Sequence, residues 1–216
     1  MKNKIFSLTI LMLVIITSCK DKANEVETKD AEKVAKAEES AVSYTVDTDN
    51  SLIMWKGFKP TGSHNGVITV SGGDFELKDD NLQSGSVTID MKSIEVLDIP
   101  KEEKGNAKLK GHLTSADFFD VETYPYANFA ITDVSESDGK TMIEGNLTIK
   151  DVTNNISIPV TTTVDGDRMT LKSEKFTIDR SKWNVRYGSK SFFDDLGDSF
   201  INDDIELQID VNASKS

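Results

Sequence analysis

Polar and apolar positions alternate along much of the chain with the two-residue period of a half-buried strand. The clearest run comes last: Ile205, Leu207, Ile209 and Val211 fall on one face, and Glu206, Gln208 and Asp210 on the other. Val87, Ile89 and Met91 repeat the pattern, as do Ile156, Ile158 and Val160. Further strands are predicted over residues 52–58, 67–77, 126–134, 141–149 and 169–178. Turn chemistry separates them at Gly72-Gly73, Asp79-Asp80-Asn81, Ser137-Asp138-Gly139, Asn154-Asn155 and Asp165-Gly166. Helix-period runs are nearly absent. Many antiparallel strands at this spacing predict an all-β sandwich or closed barrel, and the period does not choose between them. A barrel of about eight strands encloses a core just wide enough for side chains or for one ligand.

Residues 111–129 break this regularity. Leu113, Phe118, Phe119, Val121, Tyr124, Tyr126 and Phe129 follow neither the strand nor the helix period. Such a stretch must leave a helical turn, fold over something apolar and enter a strand. Thr114 and Ser115 suit a cap, and Pro125 brings no amide proton to the segment it ends. Burying Phe118, Phe119 and Phe129 would contribute roughly 1.5–3 kcal/mol each. The stretch is therefore expected to close one end of a core or of a cavity.

The first residues read as an address. Lys2 and Lys4 precede an apolar run at 5–16 that is too short to span a bilayer and ends in Ile16-Thr17-Ser18-Cys19. That ending resembles the lipobox of bacterial lipoproteins, whose cysteine is acylated before cleavage. Cys19 is also the only cysteine, which excludes an intramolecular disulfide. Residues 1–18 are thus expected to be a signal peptide, and Cys19 the lipidation site and membrane anchor. Residues 19–43 are rich in Lys, Glu, Asp and Ala, without aromatics or glycine, and are expected to form a disordered tether. Residues 44–216 remain for one domain with one core. The formal charge of −12 becomes −14 once Lys2 and Lys4 leave with the signal peptide, a surface that repels nucleic acid.

Three stretches together resemble the YceI-like family of lipocalin-like, polyisoprenoid-binding proteins. One is Gly111-His112-Leu113-Thr114-Ser115-Ala116-Asp117-Phe118-Phe119-Asp120, followed by Tyr124-Pro125 and Phe129. Another is Gly145-Asn146-Leu147-Thr148-Ile149-Lys150-Asp151-Val152-Thr153, and the third runs Ile178-Asp179-Arg180-Ser181-Lys182-Trp183-Asn184-Val185-Arg186-Tyr187-Gly188. Gly62-Ser63-His64-Asn65-Gly66 and Ser93-Ile94 support them. Asp151 departs from the family's usual glycine, but aspartate tolerates a left-handed turn better than most residues. The resemblance implies an up-and-down antiparallel barrel whose apolar interior holds an isoprenoid lipid or quinone. It also implies a cell-envelope lipoprotein, facing the periplasm or exposed on the outer membrane. A homodimer stays open.

The aromatics Trp55, Phe58, Phe75, Phe118, Phe119, Phe129, Trp183, Phe192 and Phe193 are the candidate pocket lining. The same residue types fill any closed barrel, so core and ligand contact both stand. Arg186, with Lys182 or His112 nearby, is a candidate for a charged headgroup. The plainer reading pairs Arg180 and Arg186 with Asp179, Asp194 and Asp195. His64 and His112 are the only histidines and are expected to be structural, for no metal-binding spacing surrounds them. The acidic residues Asp194, Asp195, Asp198, Asp203 and Asp204 do not follow a calcium-loop spacing and read as a solvated hairpin. No nucleophile elbow, phosphate loop or dinucleotide fingerprint is present, so neither a catalytic role nor a cofactor is expected. The rival to a lipid carrier is a surface interaction module whose barrel has lost its cavity.

Overall fold

The computed structural model describes residues 23–137 and 140–216. The expected signal peptide, Cys19 and the Asp138-Gly139 turn lie outside the described residues. In chain order come β1 (Asn24–Glu25), β2 (Thr28–Asp30), β3 (Val42–Val46), β4 (Leu52–Lys59), β5 (Gly62–Lys78), β6 (Asn81–Asp90) and β7 (Glu95–Val96). Helix α1 (Lys104–Thr114) follows, then β8 (Tyr126–Ser137), β9 (Lys140–Ile149) and β10 (Val152–Asp165). The last strands are β11 (Arg168–Ser173), β12 (Phe176–Asp179) and β13 (Asp204–Lys215).

The long strands close on themselves. Antiparallel pairing runs β5–β6–β8–β9–β10–β11–β13, and β13 returns to β5 by two routes. Toward its start, β13 pairs with β4 from Ile205–Gly57 to Asp210–Leu52, and β4 pairs with β5. Toward its end, β13 pairs with β3 at Ala213–Val46, and β3 pairs with β5 at Tyr44–Phe75. The architecture is a barrel, which settles the choice that periodicity left open. Alternate residues point inward and join one core, among them Ile143, Leu147 and Ile149 of β9 and Ile156, Ile158 and Val160 of β10.

Three local expectations are corrected. Gly72-Gly73 is not a turn but lies inside β5, at a register shift between Val70 and Gly72. Gly73 has φ +148° there, and a Cβ on it would stand 2.2 Å from the Ser86 carbonyl oxygen. The bend lets the first half of β5 pair with β4 and the second half with β3. Asn154-Asn155 also lies within a strand. The turn comes earlier, and Lys150 rather than Asp151 takes the left-handed conformation, at φ 55°. Asn155 is buried, and its amide donates to Thr132 Oγ1 at 2.8 Å and Asn146 Oδ1 at 3.2 Å. Finally, the strand predicted at 169–178 is two. β11 and β12 both pair with β13, and Ser173 Oγ at the end of β11 accepts the Ile209 amide at 2.9 Å.

This break leaves a seam. β11 covers β10 only from Val160 to Asp165, so the β10 edge at Asn154–Ile156 faces β12 with no ladder between them. The segment expected to be a tether fills the gap. β1 pairs in parallel with Phe176 and Thr177 of β12, while β2 pairs antiparallel with Asn154, Asn155 and Ile156 of β10. Beyond the seam the chain crosses the outside of the wall. The Glu32 amide donates to Asn146 Oδ1 at 2.9 Å, and Asn146 Nδ2 donates back to the Glu32 carbonyl at 2.7 Å. Ala35 N–H donates to the Ile131 carbonyl at 2.9 Å, and Glu38 pairs with Lys78. From Ala23 onward the segment is therefore part of the barrel. A composition too polar to form a core still forms strands where two unpaired edges offer backbone partners.

Candidate functional site

An apolar chamber of about 260 Å³ occupies one end of the barrel. Inward residues of the wall line it: Ile53 and Trp55 from β4, Ile68 from β5, Ile89 from β6, Leu147 and Ile149 from β9, and Ile205 and Leu207 from β13. α1 and the loop after it contribute Leu109, His112, Leu113, Phe118 and Phe119. A smaller chamber of about 70 Å³ lies deeper, lined by Phe75, Phe129, Ile156, Phe176 and their neighbours. Ile53, Ile89, Leu147 and Leu207 line both and form a collar between them.

α1 is held over the mouth by one buried polar residue. Asn106 Nδ2 donates to the carbonyls of Val96 at 3.0 Å and Ile99 at 2.7 Å, which ties the helix to β7 and through β7 to β5. Leu109 and Leu113, one turn apart, give the helix its apolar side. The loop then reverses through Asp120 at φ 49°, placing Phe118 edge-on to Phe119 with ring centroids 5.0 Å apart. The irregular aromatic stretch at 111–129 thus closes the end of a cavity.

The far rim is built on Arg180, which is 1 % exposed. Its Nη1 donates to the Val185 carbonyl at 2.7 Å, its Nε to Asn202 at 3.1 Å and its Nη2 to Ile201 at 3.1 Å. Nη2 also lies 3.3 Å from Asp203 Oδ1, and the guanidinium sits 5.2 Å from the Phe118 ring centroid. Burial pulls its pKa below the usual arginine value, while Asp203 and Asp179 push it back up. The expected pairing with Asp194 or Asp195 is replaced by one with Asp203, and Asp179 instead caps the turn by accepting the Ser181 amide at 2.9 Å. Trp183 is fully buried, and its indole N–H donates to the Leu147 carbonyl at 2.8 Å.

The structure brings most of the predicted lining together. Trp55, Phe58, Phe118, Phe119 and Trp183 line the outer chamber, and Phe75 and Phe129 the inner one. Phe192 and Phe193 do not line either chamber: they are 40 % and 49 % exposed. Arg186 is also outside, its guanidinium 4.8 Å from the Phe192 ring centroid and hydrogen-bonded to Asn184. The cause is local. Asn184 ends the preceding turn in the left-handed conformation at φ 58°, which sends Val185 into the barrel and Arg186 out of it. His112 does line the chamber, with its ring edge-on to Tyr187 at 4.4 Å and to Phe118 at 5.7 Å.

Sequence reasoning passed over the aliphatic lining, His64 at the rim and Arg180 as a rim-builder. The period-2 pattern marked the isoleucines as inward, but nothing in it separates a side chain that meets another from one that faces space. His64 Nδ1 hydrogen-bonds Asp98 Oδ2 at 2.8 Å. Burial works to raise the Asp98 carboxyl, but the Asn65 amide and His64 outweigh it and hold it below the ordinary value. Two polar atoms on the outer lining are buried without a protein partner: Trp55 Nε1 and His112 Nε2.

An antiparallel barrel closed around an apolar chamber, with a helix across its mouth, defines a lipocalin-like fold. The chain belongs to the YceI-like family: the family model of the YceI-like domain matches residues 44–213. A UPF0312 protein of Pseudomonas putida is 27% identical over 135 residues, covering 58% of this chain and 65% of that protein. A UPF0312 protein of Photorhabdus laumondii is 31% identical over 81 residues, 38% of this chain and 39% of its own. The matches thus span less than two-thirds of these relatives. Among solved structures, BcnA of Burkholderia cenocepacia superposes with a TM-score of 0.63 at 24% identity, covering 78% of this chain and 99% of BcnA. A polyisoprenoid-binding domain from Saccharophagus degradans, implicated in plant cell wall breakdown, gives 0.57 at 11% identity over 81% of this chain and 99% of that domain. At these identities the likeness is one of fold.

Proposed function

We propose that the protein binds an amphiphile with an isoprenoid-type chain and acts as a carrier or store for it in the cell envelope. The observation that carries this reading is the outer chamber, which is walled by hydrocarbon on every strand that reaches it and lies near the lower bound of about 300–1,000 Å³ typical of ligand pockets. A barrel serving only as an interaction module has no use for empty apolar space, since each void forfeits packing. The family membership and the polyisoprenoid-binding neighbour support the chemical class. The chamber lining holds buried hydrocarbon and few titratable groups, which supports binding rather than catalysis.

Exchange with a membrane follows from the energetics. Each buried methylene is worth about 0.8 kcal/mol out of water, but a lipid starts from a bilayer, so transfer into an apolar chamber is close to neutral. The collar of Ile53, Ile89, Leu147 and Leu207 divides the space into chambers in series, which suits a narrow, flexible chain more than a rigid bulky body. Membrane attachment through acylated Cys19 is supported by Lys2, Lys4, the apolar run at 5–16 and the residues before the cysteine. Two measurements test the proposal. Native mass spectrometry of freshly purified and delipidated protein should reveal an apolar adduct that exchanges; its absence in both overturns the carrier reading. Cys19→Ala should move the protein from the membrane to the soluble fraction, and unchanged membrane association would refute the anchor.

A further inference from the structure

Trp55 and Trp183 line the same chamber and differ in one respect. The Trp183 indole N–H is occupied by the Leu147 carbonyl at 2.8 Å, whereas the Trp55 indole nitrogen is buried with no protein partner. The position of the Trp55 ring is dictated by the wall. It lies against Gly66 of β5, where a Cβ would come 2.7 Å from Trp55 Cζ2 and 1.7 Å from the Glu95 carbonyl oxygen. Only glycine leaves room for it. On the helix across the mouth, His112 is fixed between the ring edges of Phe118 and Tyr187, and its Nε2 is likewise buried without a partner. Buried polar groups are nearly always hydrogen-bonded, so two exceptions on one chamber lining point to what the chamber holds.

We propose that the outer chamber takes an amphiphile whose polar end is an uncharged oxygen, a carbonyl or hydroxyl, bound by Trp55 Nε1–H and His112 Nε2, and that it does not take a phosphate ester. This rests on the ligand-holding reading above and names the headgroup. An indole N–H only donates, so the ligand atom facing Trp55 must accept; imidazole Nε2 donates or accepts according to tautomer and serves either oxygen type. The charge argument excludes phosphate. A buried phosphate needs a cation with free donors. Arg180 is committed to the carbonyls of Val185, Ile201 and Asn202, and its charge is met by Asp203. The other fixed cation on the lining, Lys59, is exposed.

The test uses the delipidated full-length protein and three probes that share a geranyl chain: geranylacetone, its hydrocarbon lacking the oxygen, and geranyl phosphate. The protein has two tryptophans, so the proton–nitrogen NMR spectrum carries two indole N–H signals. Geranylacetone should move the Trp55 signal downfield and leave that of Trp183 in place, and it should bind more tightly than either other probe. Trp55→Phe and His112→Leu should each weaken the ketone about two- to tenfold more than they weaken the hydrocarbon, the loss of one hydrogen bond. If ketone and hydrocarbon bind alike with the Trp55 signal unmoved, or if geranyl phosphate binds best, the headgroup inference falls while the lipid chamber stands. If no probe binds, the ligand-holding reading itself falls, and the headgroup with it. The NMR readout needs no variant, so a misfolded Trp55→Phe leaves the decision intact.

Discussion

Two parts of the barrel wall are closed by different means. Around most of the circumference, consecutive strands pair along their length and bury a side chain at every second position, as β9 does with Ile143, Leu147 and Ile149. At the seam between β10 and β12 the closing strands come from residues 24–30, outside the stretch that matches the family, and few of their side chains enter the core. The wall is held by apolar burial and hydrogen bonds together, the seam mainly by hydrogen bonds. Burial contributes about 25 cal/mol per Å², whereas a hydrogen bond nets only about 0.5–1.5 kcal/mol. The difference predicts a barrel with one weak stave.

The contrast can be broken at either side. Trp183→Ala, which empties a fully buried site and frees the Leu147 carbonyl, should cost about 3–5 kcal/mol by denaturant unfolding. Removing residues 1–38 should cost less, about 2–4 kcal/mol from a handful of hydrogen bonds. Its sharper signature is amide exchange: protection should fall at 154–156 and 176–177 and hold at 160–165, which β11 still covers. Uniform loss or no loss would mean the seam is not a separate unit. Asn146→Ala removes the reciprocal bonds to Glu32 and one to Asn155, and should cost about 1–2 kcal/mol with exchange rising in the same seam. The smallest effect is expected at the rim. The folded Asp98 carboxyl lies below its ordinary value, so its contribution is complete above an unfolded value of about 3.9 and is lost as pH falls through the folded one. Asp98→Asn should therefore flatten the acid limb of the stability profile, lowering stability slightly near neutrality and leaving it unchanged below the folded value.

Most of the wall was legible in the sequence because a strand buried on one face must alternate, and β6, β9, β10 and β13 all do. The aromatic run at 111–129 was legible as a cap for the converse reason: it alternates with nothing. Three things were hidden. α1 carries two glycines and three lysines in eleven residues and announces itself only by Leu109 and Leu113. Its helix is specified by what it covers rather than by its own propensity. The seam strands are specified by the edges they meet, which a local pattern cannot contain. Arg186 was misplaced because one left-handed residue, Asn184, decides which neighbour turns inward, and Phe192 and Phe193 because they lie in an irregular segment where no period marks a face. That Trp55 and Trp183 line one chamber was within reach of sequence; that only one of them has a partner was not.

The seam has a last consequence, for reach. With Asn24 fixed beside Phe176, only a short leash separates Cys19 from the barrel, and fully stretched it covers at most about 18 Å. Under the proposed acylation of Cys19, the lipid would be held within that distance of the barrel's flank, less than the thickness of a bilayer's hydrocarbon core of about 30 Å.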